Sequence, residues 1–410
     1  MRDDWTECCF ENLLDYEQPT KYIVKSTKYN DSYKMPVLTA GKSFIKGYTN
    51  ETDGVFENLP TIIFDDFTTA TQYVNFRFKV KSSAMKILVP TSKLVNMPFA
   101  YYAMQVNQVR SDTHKRYWIS VFAKKKFLLP PLVEQKVIIK RIEALFSSLD
   151  SGIADLKKAQ SQLGIYRQAV LSSSFPKNRK IEISELVENL SQGWSPKCIN
   201  QNSTDSTQWA VIKTSAIQTG KFVEYENKIL PDNLEPREQH EIKKGDILIT
   251  RAGPRVRVGI CCLVKETRPK LINCDKVYRI ELNKELVTPE YFEYALNSPE
   301  ILGKIEIMKS GSSDSGLNLT QKAFLKLEVP YVVREEQHQI VREIESRLSV
   351  CDKVEESIRE SLEKAIALRQ SILKKAFEGT LLSEEEITKC KQDKEYEPAD
   401  VLLARIKAEN

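Results

Sequence analysis

Two long segments of the sequence resemble each other residue by residue, and this repeat constrains the fold more than any single motif. Residues 129–175 and 329–377 align without a gap from Glu134 and Glu336 onward, at an offset of 202 positions. The aligned identities are Glu134-Gln135 with Glu336-Gln337, Ile142-Glu143 with Ile344-Glu345, Asp150 with Asp352, Arg167-Gln168 with Arg369-Gln370, and Phe175 with Phe377. An internal repeat indicates that the chain is built from copies of one unit.

Both segments predict long helices, because their apolar residues recur in steps of three and four. The first stripe comprises Ile138, Ile142, Leu145, Leu149, Ile153, Leu156, Ala159, Leu163, Tyr166 and Val170, and the second comprises Ile340, Ile344, Leu348, Cys351, Val354, Ile358, Leu362 and Ile366. About 42 residues in helical conformation give rods of roughly 60 Å. A stripe of that length needs an equally long partner, so the pattern favours a coiled coil between the two copies over two ordinary core helices.

The repeat continues, more loosely, upstream of each rod. Leu59–Asp66 resembles Lys244–Arg251, and both predict a turn followed by a short apolar strand. Residues 98–104 resemble residues 289–296, and each segment predicts an amphipathic helix that begins with proline. The sequence therefore predicts an α+β fold in which a β-rich domain followed by a long helix occurs twice, as a pseudo-two-fold repeat. The expected segments are residues 1–131 (first β-rich domain), 132–175 (first long helix), 176–331 (second β-rich domain), 332–380 (second long helix) and 381–410 (a tail with a short helix).

Composition excludes several other classes of protein. The 410 residues are too many for one core and predict two to three domains. No apolar run approaches the ~20 residues of a membrane span, and the start has no signal-peptide core, so we expect a cytosolic (cytoplasmic) protein. The eight cysteines form no C-x-x-C pair and only three histidines are present, so we expect neither a metal site nor a disulfide framework.

The charge is unevenly distributed along the chain. The formal net charge is +5, and residues 1–131 carry 18 basic against 13 acidic residues. Residues 332–410 carry 14 basic against 18 acidic residues. This distribution is a weak indication of an anionic partner toward the N-terminal part.

Residues 35–43, MPVLTAGKS, end like the phosphate-binding loop of ATPases. That loop requires G-x-x-x-x-G-K-[S/T] between a strand and a helix. Pro36 stands where the first glycine belongs, and proline has neither an amide hydrogen nor access to the left-handed turn. Because the residues after Ser43 predict a strand and a turn, we interpret the stretch as a strand leading into a polar loop, the counterpart of Trp209–Ser215.

The chain resembles the specificity (S) subunit of a type I restriction-modification system over nearly its full length. The residues that carry the resemblance are the rod starts LPPLVEQKVIIKRIEALF and REEQHQIVREIESRL, the rod ends YRQAVLSSSF and LRQSILKKAFEGTL, the strand and turn KKGDILITRAG, the approach GSSDSGLNLTQKAFLKLEVP, and the C-terminal EPADVLLARI. Two such rods, each behind a β-rich domain, are typical of that family.

The resemblance implies a DNA reader that is not itself an enzyme. It implies two target recognition domains, each reading one half of a split double-stranded DNA sequence, and two helices that pack antiparallel and fix the separation. The implied partners are two DNA adenine methyltransferase (M) subunits and two ATP-dependent restriction (R) subunits. S-adenosylmethionine, ATP and Mg would belong to those partners, so no cofactor is expected on this chain.

The expected geometry follows from two similar readers joined by antiparallel rods. Such readers face successive major grooves on one side of B-DNA, which places the half-site centres about one helical turn, ~10 bp, apart. Half-sites of about 3 to 5 bp would then leave a gap of roughly 5 to 8 bp unread.

Candidate DNA contacts are polar side chains that follow predicted strands or precede a rod. Lysine, arginine and small polar residues hold phosphates, and arginine, asparagine, glutamine, serine and threonine read base edges. The first-domain candidates are Thr39, Lys42, Ser43, Lys46, Thr69, Thr71, Gln72, Arg77, Lys79, His114, Lys115 and Arg116. The second-domain candidates are Lys213, Thr214, Ser215, Arg251, Arg255, Arg257, Ser312, Ser313 and Asn318. The bland alternative for Arg251–Arg257 is a solvated basic turn.

Two other functions are compatible with parts of the sequence. Pro231-Asp232 and Glu241-Ile-Lys243 have the form of a metal-dependent nuclease motif, although Glu241–Asp246 also reads as a turn before a strand. A non-enzymatic coiled-coil scaffold that binds protein or RNA would also carry long rods. Methyltransferase activity lacks support, because the sequence contains no N-P-P-[F/Y] or D-P-P-Y tetrapeptide.

Overall fold

The structure, a computed structural model, describes residues 2–41, 43–108 and 116–409. The chain divides into two compact units. The first unit consists of residues 1–156 together with residues 360–410, and the second consists of residues 157–359. Each unit therefore contains one β-rich domain and parts of both long helices.

The first half of the chain contains nine strands and three α-helices among its described residues. In order they are β1 (Thr6–Cys9), α1 (Phe10–Leu13), β2 (Leu14–Glu17), β3 (Met35–Leu38), β4 (Ile45–Thr49), β5 (Thr61–Asp65), β6 (Thr71–Val74), β7 (Lys79–Val80), β8 (Met85–Pro90), α2 (Met97–Val106), β9 (Lys126–Leu129) and α3 (Leu132–Ser174). A 3₁₀ turn at Pro19–Tyr22 and a π-helical turn at Trp118–Phe122 complete it.

The second half begins after the first rod and ends with the tail. Its elements are β10 (Lys180–Glu182), α4 (Ile183–Leu186), β11 (Val187–Gln192), β12 (Ala210–Ile212), β13 (Ile217–Gln218), β14 (Lys221–Phe222), β15 (Asn227–Ile229), β16 (Ile247–Thr250), β17 (Ala252–Gly253), β18 (Cys261–Leu263), β19 (Leu271–Ile272), β20 (Val277–Leu282), α5 (Pro289–Leu296), α6 (Pro299–Met308), β21 (Leu317–Asn318), α7 (Gln321–Leu325), β22 (Glu328–Pro330), α8 (Arg334–Phe377), α9 (Glu384–Lys391) and α10 (Ala399–Glu409). Short 3₁₀ helices lie at Thr214–Ala216 and Glu238–His240.

The two β-rich domains contain the same pair of sheets. The four-stranded sheet has the order β2-β8-β5-β6 in the first unit and β11-β20-β16-β18 in the second, and its neighbours are antiparallel. The three-stranded sheet has the order β4-β3-β7 in one unit and β15-β12-β19 in the other. In both, the middle strand has one antiparallel and one parallel neighbour. This shared topology confirms the internal repeat and the α+β class.

The local sequence explains why the equivalent elements form. Strands β5 and β16 are buried along their whole length, because both lie in the middle of the four-stranded sheet and are rich in branched apolar residues. Helices α2 and α5 each have a proline in the first turn and a capping side chain. Asn96 accepts a hydrogen bond from the Phe99 amide, and Thr288 accepts one from the Tyr291 amide.

The long helices pair within each unit. In the first unit the start of α3 and the end of α8 share one core, which contains Ile138, Ile142, Ile372 and Ala376. Asp150 pairs with Arg369 there, and Arg141 pairs at 2.7 Å with Glu386, just beyond the end of α8. Because lower numbers on one segment meet higher numbers on the other, the two segments run antiparallel.

The second unit repeats this pairing with the helices exchanged. Arg167 of α3 pairs with Asp352 at 2.7 Å and Glu355 at 2.9 Å, and Arg179, beyond the end of α3, pairs with Glu336 at 3.3 Å. Arg167 and Asp352 are the repeat equivalents of Arg369 and Asp150. The antiparallel ion pair is therefore duplicated together with the helices.

Equivalent glutamines attach each rod to the domain before it. The buried Gln135 side chain donates to the carbonyl oxygen of Pro130 at 2.8 Å. The buried Gln337 side chain donates to the Val332 carbonyl at 2.8 Å and accepts from the Thr288 amide at 2.9 Å. A buried amide with satisfied partners fixes orientation, so these bonds hold each helix start against its own domain.

Most of the cysteines are buried. All eight are unpaired, and six are buried. Burial raises the pKa of Cys8 and of Cys274 to about 12, so both remain neutral thiols. Among the described residues, no helix is both long enough and apolar enough to cross a membrane.

Candidate nucleic-acid interface

In the second unit, the loop after β16 is fixed by backbone hydrogen bonds. The Pro254 carbonyl accepts the Arg257 amide at 2.8 Å, and the Gly259 amide donates to the Thr250 carbonyl at 2.8 Å. Gly259 has a φ of +93°, and a Cβ there would lie 2.5 Å from Ile305 Cγ2. Glycine is required at this position, because a side chain would be strained and would collide with α6.

Two of the three predicted arginines of this loop, Arg251 and Arg255, have different environments. Arg251 donates through Nε to the Asp275 carbonyl at 2.9 Å, and its guanidinium lies 5.6 Å from the Tyr278 ring centroid. Arg255 pairs with Glu306 and, at 2.9 Å, with Asp314. Its charge is thus balanced by two carboxylates, which makes Arg255 a support for the loop.

Lys213, Thr214 and Ser215 follow β12 and are half-buried. Ser215 donates to the Glu226 carboxylate at 2.5 Å, and Lys213 lies 3.6 Å from the same carboxylate. The Ser215 hydrogen bond, followed by the charges of Lys213 and Arg257, lowers the pKa of Glu226 despite some desolvation. Glu226 therefore interacts electrostatically with residues of two predicted loops, Lys213 and Ser215 in one and Arg257 in the other.

A groove beside this cluster is lined by Lys213 and by three further lysines that the sequence did not single out. The groove has a volume of about 510 Å³, and its lining includes Lys197, Lys213, Lys228 and Lys276 with the small polar residues Ser195 and Thr214. The ammonium groups of Lys197, Lys228 and Lys276 form no ion pair with another residue that the structure describes. The Arg251 amide donates to the Lys276 carbonyl at 2.9 Å, so the groove adjoins the arginine loop. Asp275 also lines the groove and accepts a hydrogen bond from the Ser195 hydroxyl, but the lysines outnumber it. Clustered lysines in excess over carboxylates suit phosphate oxygens.

The predicted loop before the second rod joins the same surface. Asp314, between Ser313 and Asn318, accepts the Arg255 amide at 2.8 Å through its carbonyl oxygen. Strand β21 pairs with β17, with Ala252 opposite Asn318. Ser312, Ser313 and Asn318 are exposed. The structure thus brings together the two loops that the sequence selected independently.

In the first unit, the loop after β5 folds back on itself. Asp65 Oδ1 accepts the amides of Phe67 at 2.8 Å and Thr68 at 3.1 Å. Thr69 is buried at a φ of +60°, and the buried Thr71 hydroxyl accepts from the Gln105 side chain. Both threonines belong to the interior of the fold, so the interface proposed below leaves them out.

Lys79 also points inward, although its sequence context suggested a DNA contact. Its side chain is 2% exposed and its ammonium lies 3.2 Å from the Glu51 carboxylate. The ammonium also donates to the carbonyl oxygens of Asp53 and Gly54. A buried ammonium needs such partners, and here they leave it facing away from solvent. The interface proposed below leaves out Lys79 as well.

The other first-unit candidates lie on the surface or outside the described residues. Gln72, Lys46, Ser43, Arg116 and Arg77 are exposed, and Arg77 is 3.2 Å from Glu57. Lys42, His114 and Lys115 lie outside the described residues. Thr39 donates to the Ser43 carbonyl at 2.9 Å and accepts the Gly41 amide at 3.2 Å, which closes the turn. The chain then enters β4 instead of a helix, as the sequence predicts, so the turn lacks the architecture of an ATP-binding loop.

Glu241 of the nuclease-like motif and the nearby Asp246 have structural partners, whereas the Asp232 of the motif is exposed. Glu241 accepts the Lys270 amide at 2.6 Å, and Asp246 accepts the Lys243 amide at 2.8 Å. Within residues 2–41, 43–108 and 116–409, no group of three or more histidine, cysteine or acidic side chains could hold a metal ion. Glu241 and Asp246 are therefore accounted for by turn formation.

Known proteins are similar to this chain in sequence and in fold. The sequence model of the family described as type I restriction modification DNA specificity domain matches residues 2–158 and 177–364. The chain is 30% identical over 390 residues to the type I restriction enzyme EcoR124I/EcoR124II specificity subunit of Escherichia coli, with 87% of this chain and 89% of that protein covered. It is 34% identical over 190 residues to the EcoEI specificity subunit of E. coli, with 46% and 32% covered.

Solved structures of the same kind have similar folds. A chain from a study of complex assembly in the type I R-M system superposes with a TM-score of 0.67 at 15% identity, covering 93% of this chain and 99% of that chain. The HsdS subunit from Thermoanaerobacter tengcongensis superposes with a TM-score of 0.51 at 16% identity, covering 93% and 98%. The chain therefore belongs to the family of type I restriction-modification DNA specificity subunits.

Proposed function

We propose that this specificity subunit reads a bipartite DNA target, with one half-site for each β-rich domain, and directs adenine methylation or restriction by partner subunits. The observation that carries the proposal is that both domains contain the same pair of sheets. In each domain a polar loop follows the buried inner strand of the four-stranded sheet, β5 or β16. Two copies of one reader suit two half-sites, which we place about one helical turn, ~10 bp, apart. Catalysis belongs to the partner subunits, as it does in the systems of its relatives.

Mapping of methylated adenines tests this proposal in a host that carries the gene with its partner genes. We expect one motif with two specified halves and an unread gap, and its loss when this gene alone is deleted. A continuous motif would contradict a reader built from two copies.

For the interface itself, we propose a subset of the predicted contacts together with the new lysines. In the second domain these residues are Lys197, Lys213, Thr214, Ser215, Lys228, Arg251, Arg257, Lys276, Ser312, Ser313 and Asn318. In the first domain they are Thr39, Lys42, Ser43, Lys46, Gln72, Arg77, His114, Lys115 and Arg116. The exposed or half-exposed cations and hydroxyl groups among the described members of this set support the choice, because phosphate contacts position a protein on DNA and base contacts give it specificity. Lys42, His114 and Lys115 are included on the basis of the sequence alone.

We further propose that two methyltransferase subunits and two ATP-dependent restriction subunits bind this chain in the cytoplasm. S-adenosylmethionine, ATP and Mg would be held by those subunits. Exposed apolar side chains on the rods support docking of protein partners. They are Ile165, Tyr166, Val350 and Val354 in the second unit and Ile366 and Leu368 in the first. Exposed apolar side chains mark interaction sites where they form contiguous patches.

The functional division proposed for the chain keeps the boundaries expected from the sequence. Residues 1–131 and 176–331 would be the recognition domains, residues 132–175 and 332–380 the helices, and residues 381–410 the tail. The tail packs on the first unit, where Leu402, Leu403 and Ile406 are buried. Its burial supports a stabilising role in the first domain.

A further inference from the structure

An apolar side chain stands at the tip of the arginine loop of the second unit. Val256 is 82% exposed and lies between Arg255 and Arg257. Single exposed apolar residues are common on proteins and need no explanation by themselves. Val256 differs in its position, because it occupies a fixed tip beside the lysine-lined groove.

The tip is held by contacts of both neighbours of Val256. On one side, the Arg257 amide donates to the Pro254 carbonyl at 2.8 Å, and on the other side the contacts are made by Arg255. The Lys309 ammonium donates to the Arg255 carbonyl at 2.8 Å, and the Arg255 amide donates to the Asp314 carbonyl at 2.8 Å. The Arg255 guanidinium is bound by Glu306 and Asp314. The backbone that carries Val256 is thus fixed in advance of binding, and a preorganised loop gives up little conformational entropy when a ligand arrives.

The chemistry of the side chain selects one part of DNA. Phosphates and base-edge hydrogen-bonding groups offer nothing to an isopropyl group, whereas the C5-methyl group of thymine in the major groove is apolar. Wedges that enter the minor groove between base steps are larger or stiffer residues such as phenylalanine, leucine or proline. A valine flanked by arginines therefore suits a methyl contact in the major groove.

We propose that Val256 contacts the C5-methyl group of a thymine in the half-site read by the second domain. The inference rests on the proposed DNA-reading function and assigns one determinant of specificity within it. A half-site with a methylated adenine contains at least the thymine paired with it, so a suitable methyl group is present.

Replacement of thymine by deoxyuridine tests this contact, because it removes only the methyl group. The assembled methyltransferase complex would be titrated with duplexes that carry the mapped target, with each thymine of that half-site replaced in turn. We expect one replacement to weaken binding about fourfold, the value of one buried methyl group. In the Val256→Ala complex the same replacement should have little effect, whereas Val401→Ala, an exposed valine of the tail, should behave like the unaltered complex.

The outcomes separate the inference from the function on which it rests. Suppose that the unaltered complex binds its target specifically, but deoxyuridine weakens binding equally in the unaltered and the Val256→Ala complexes at every position. The proposed methyl contact is then wrong, while the DNA-reading function is unaffected. A uniform loss on thymine and deoxyuridine duplexes alike would also overturn the methyl contact. If the complex does not distinguish its target from other DNA, both the proposed function and the inference are overturned.

Discussion

The loop after β5 in the first unit and the loop after β16 in the second follow equivalent buried strands, yet they are held in opposite ways. The first is closed by Asp65, which accepts two amides of its own turn, and it buries Thr69 although Phe67 is 47% exposed. The second points outward, with Val256 at its tip and Arg255 bound by two carboxylates. Duplication has preserved the strands and their order but not the loop chemistry. The contacts of each reader must therefore be determined separately.

The three-stranded sheets differ in a similar way. Lys79 and Leu271 are each the first residue of the strand that runs parallel to the middle strand. Both are buried, but the lysine is paired with Glu51, whereas the leucine lies in an apolar core. One position in the duplicated framework is thus filled by an ion pair in one unit and by packing in the other.

The largest expected effect is a loss of stability when the buried residue at this position is replaced by alanine. Lys79→Ala should lower the free energy of unfolding by about 3 kcal/mol, because it leaves the partly buried Glu51 carboxylate and two carbonyls without their cation. Leu271→Ala should lower it by a similar amount, about 3 kcal/mol, through a cavity. Urea unfolding measures both, with the exposed Lys46→Ala as a control that should change stability by less than about 0.5 kcal/mol. If the Lys79→Ala protein is as stable as the unaltered protein but binds DNA more weakly, Lys79 contacts DNA and does not have the structural role described here.

The next largest effect is a loss of DNA affinity when lysines of the groove in the second unit are removed. The triple variant Lys197→Ala, Lys228→Ala and Lys276→Ala should weaken DNA binding by the complex by tenfold or more. The slope of log affinity against log salt should become shallower by about 0.9 for each phosphate that the variant no longer neutralises. Fluorescence titration at several salt concentrations measures the slope, and Lys322→Ala, an exposed lysine of α7, should leave it unchanged. If the triple variant also leaves it unchanged, the groove does not bind phosphate.

A smaller effect on the salt dependence of DNA binding should distinguish Arg257 from Arg255 in the same loop. Arg257→Ala should reduce the salt slope by about 0.9, the value for one phosphate contact. Arg255→Ala should weaken binding by no more than about fivefold and without that change, because it only releases the loop from its exposed ion pairs with Glu306 and Asp314. Equal salt slopes for the two variants would show that Arg255 and Arg257 have the same role.

The smallest effect concerns the duplicated ion pairs of the rods. A double-mutant cycle on Asp150 and Arg369 should give a coupling energy of about 0.5 kcal/mol, and so should one on Arg167 and Asp352. Chemical unfolding of the single and double alanine variants measures both. A large difference between the two cycles would show that the equivalent pairs have diverged in energy although their contacts are alike.

The duplicated framework could be predicted from the sequence because its signals are local. Apolar periodicity identified the rods, and prolines at helix starts identified α2 and α5. The interface could not be predicted in the same way, because it depends on partners distant in sequence. Glu306, which neutralises Arg255, is 51 positions away, and Lys197, Lys228 and Lys276 come from three separate segments. The burial of Lys79 could not be predicted for the same reason, since nothing near it in the sequence indicates that its ammonium pairs with Glu51.

The central claim is that each β-rich domain reads its own half of the target. It is tested most directly by mapping methylated adenines in a host whose chain carries residues 176–331 of this protein replaced by the equivalent domain of the EcoR124I/EcoR124II relative. We predict a motif in which one half changes while the other half and the gap remain as in the unaltered chain. A change in both halves, or in neither, would contradict the account.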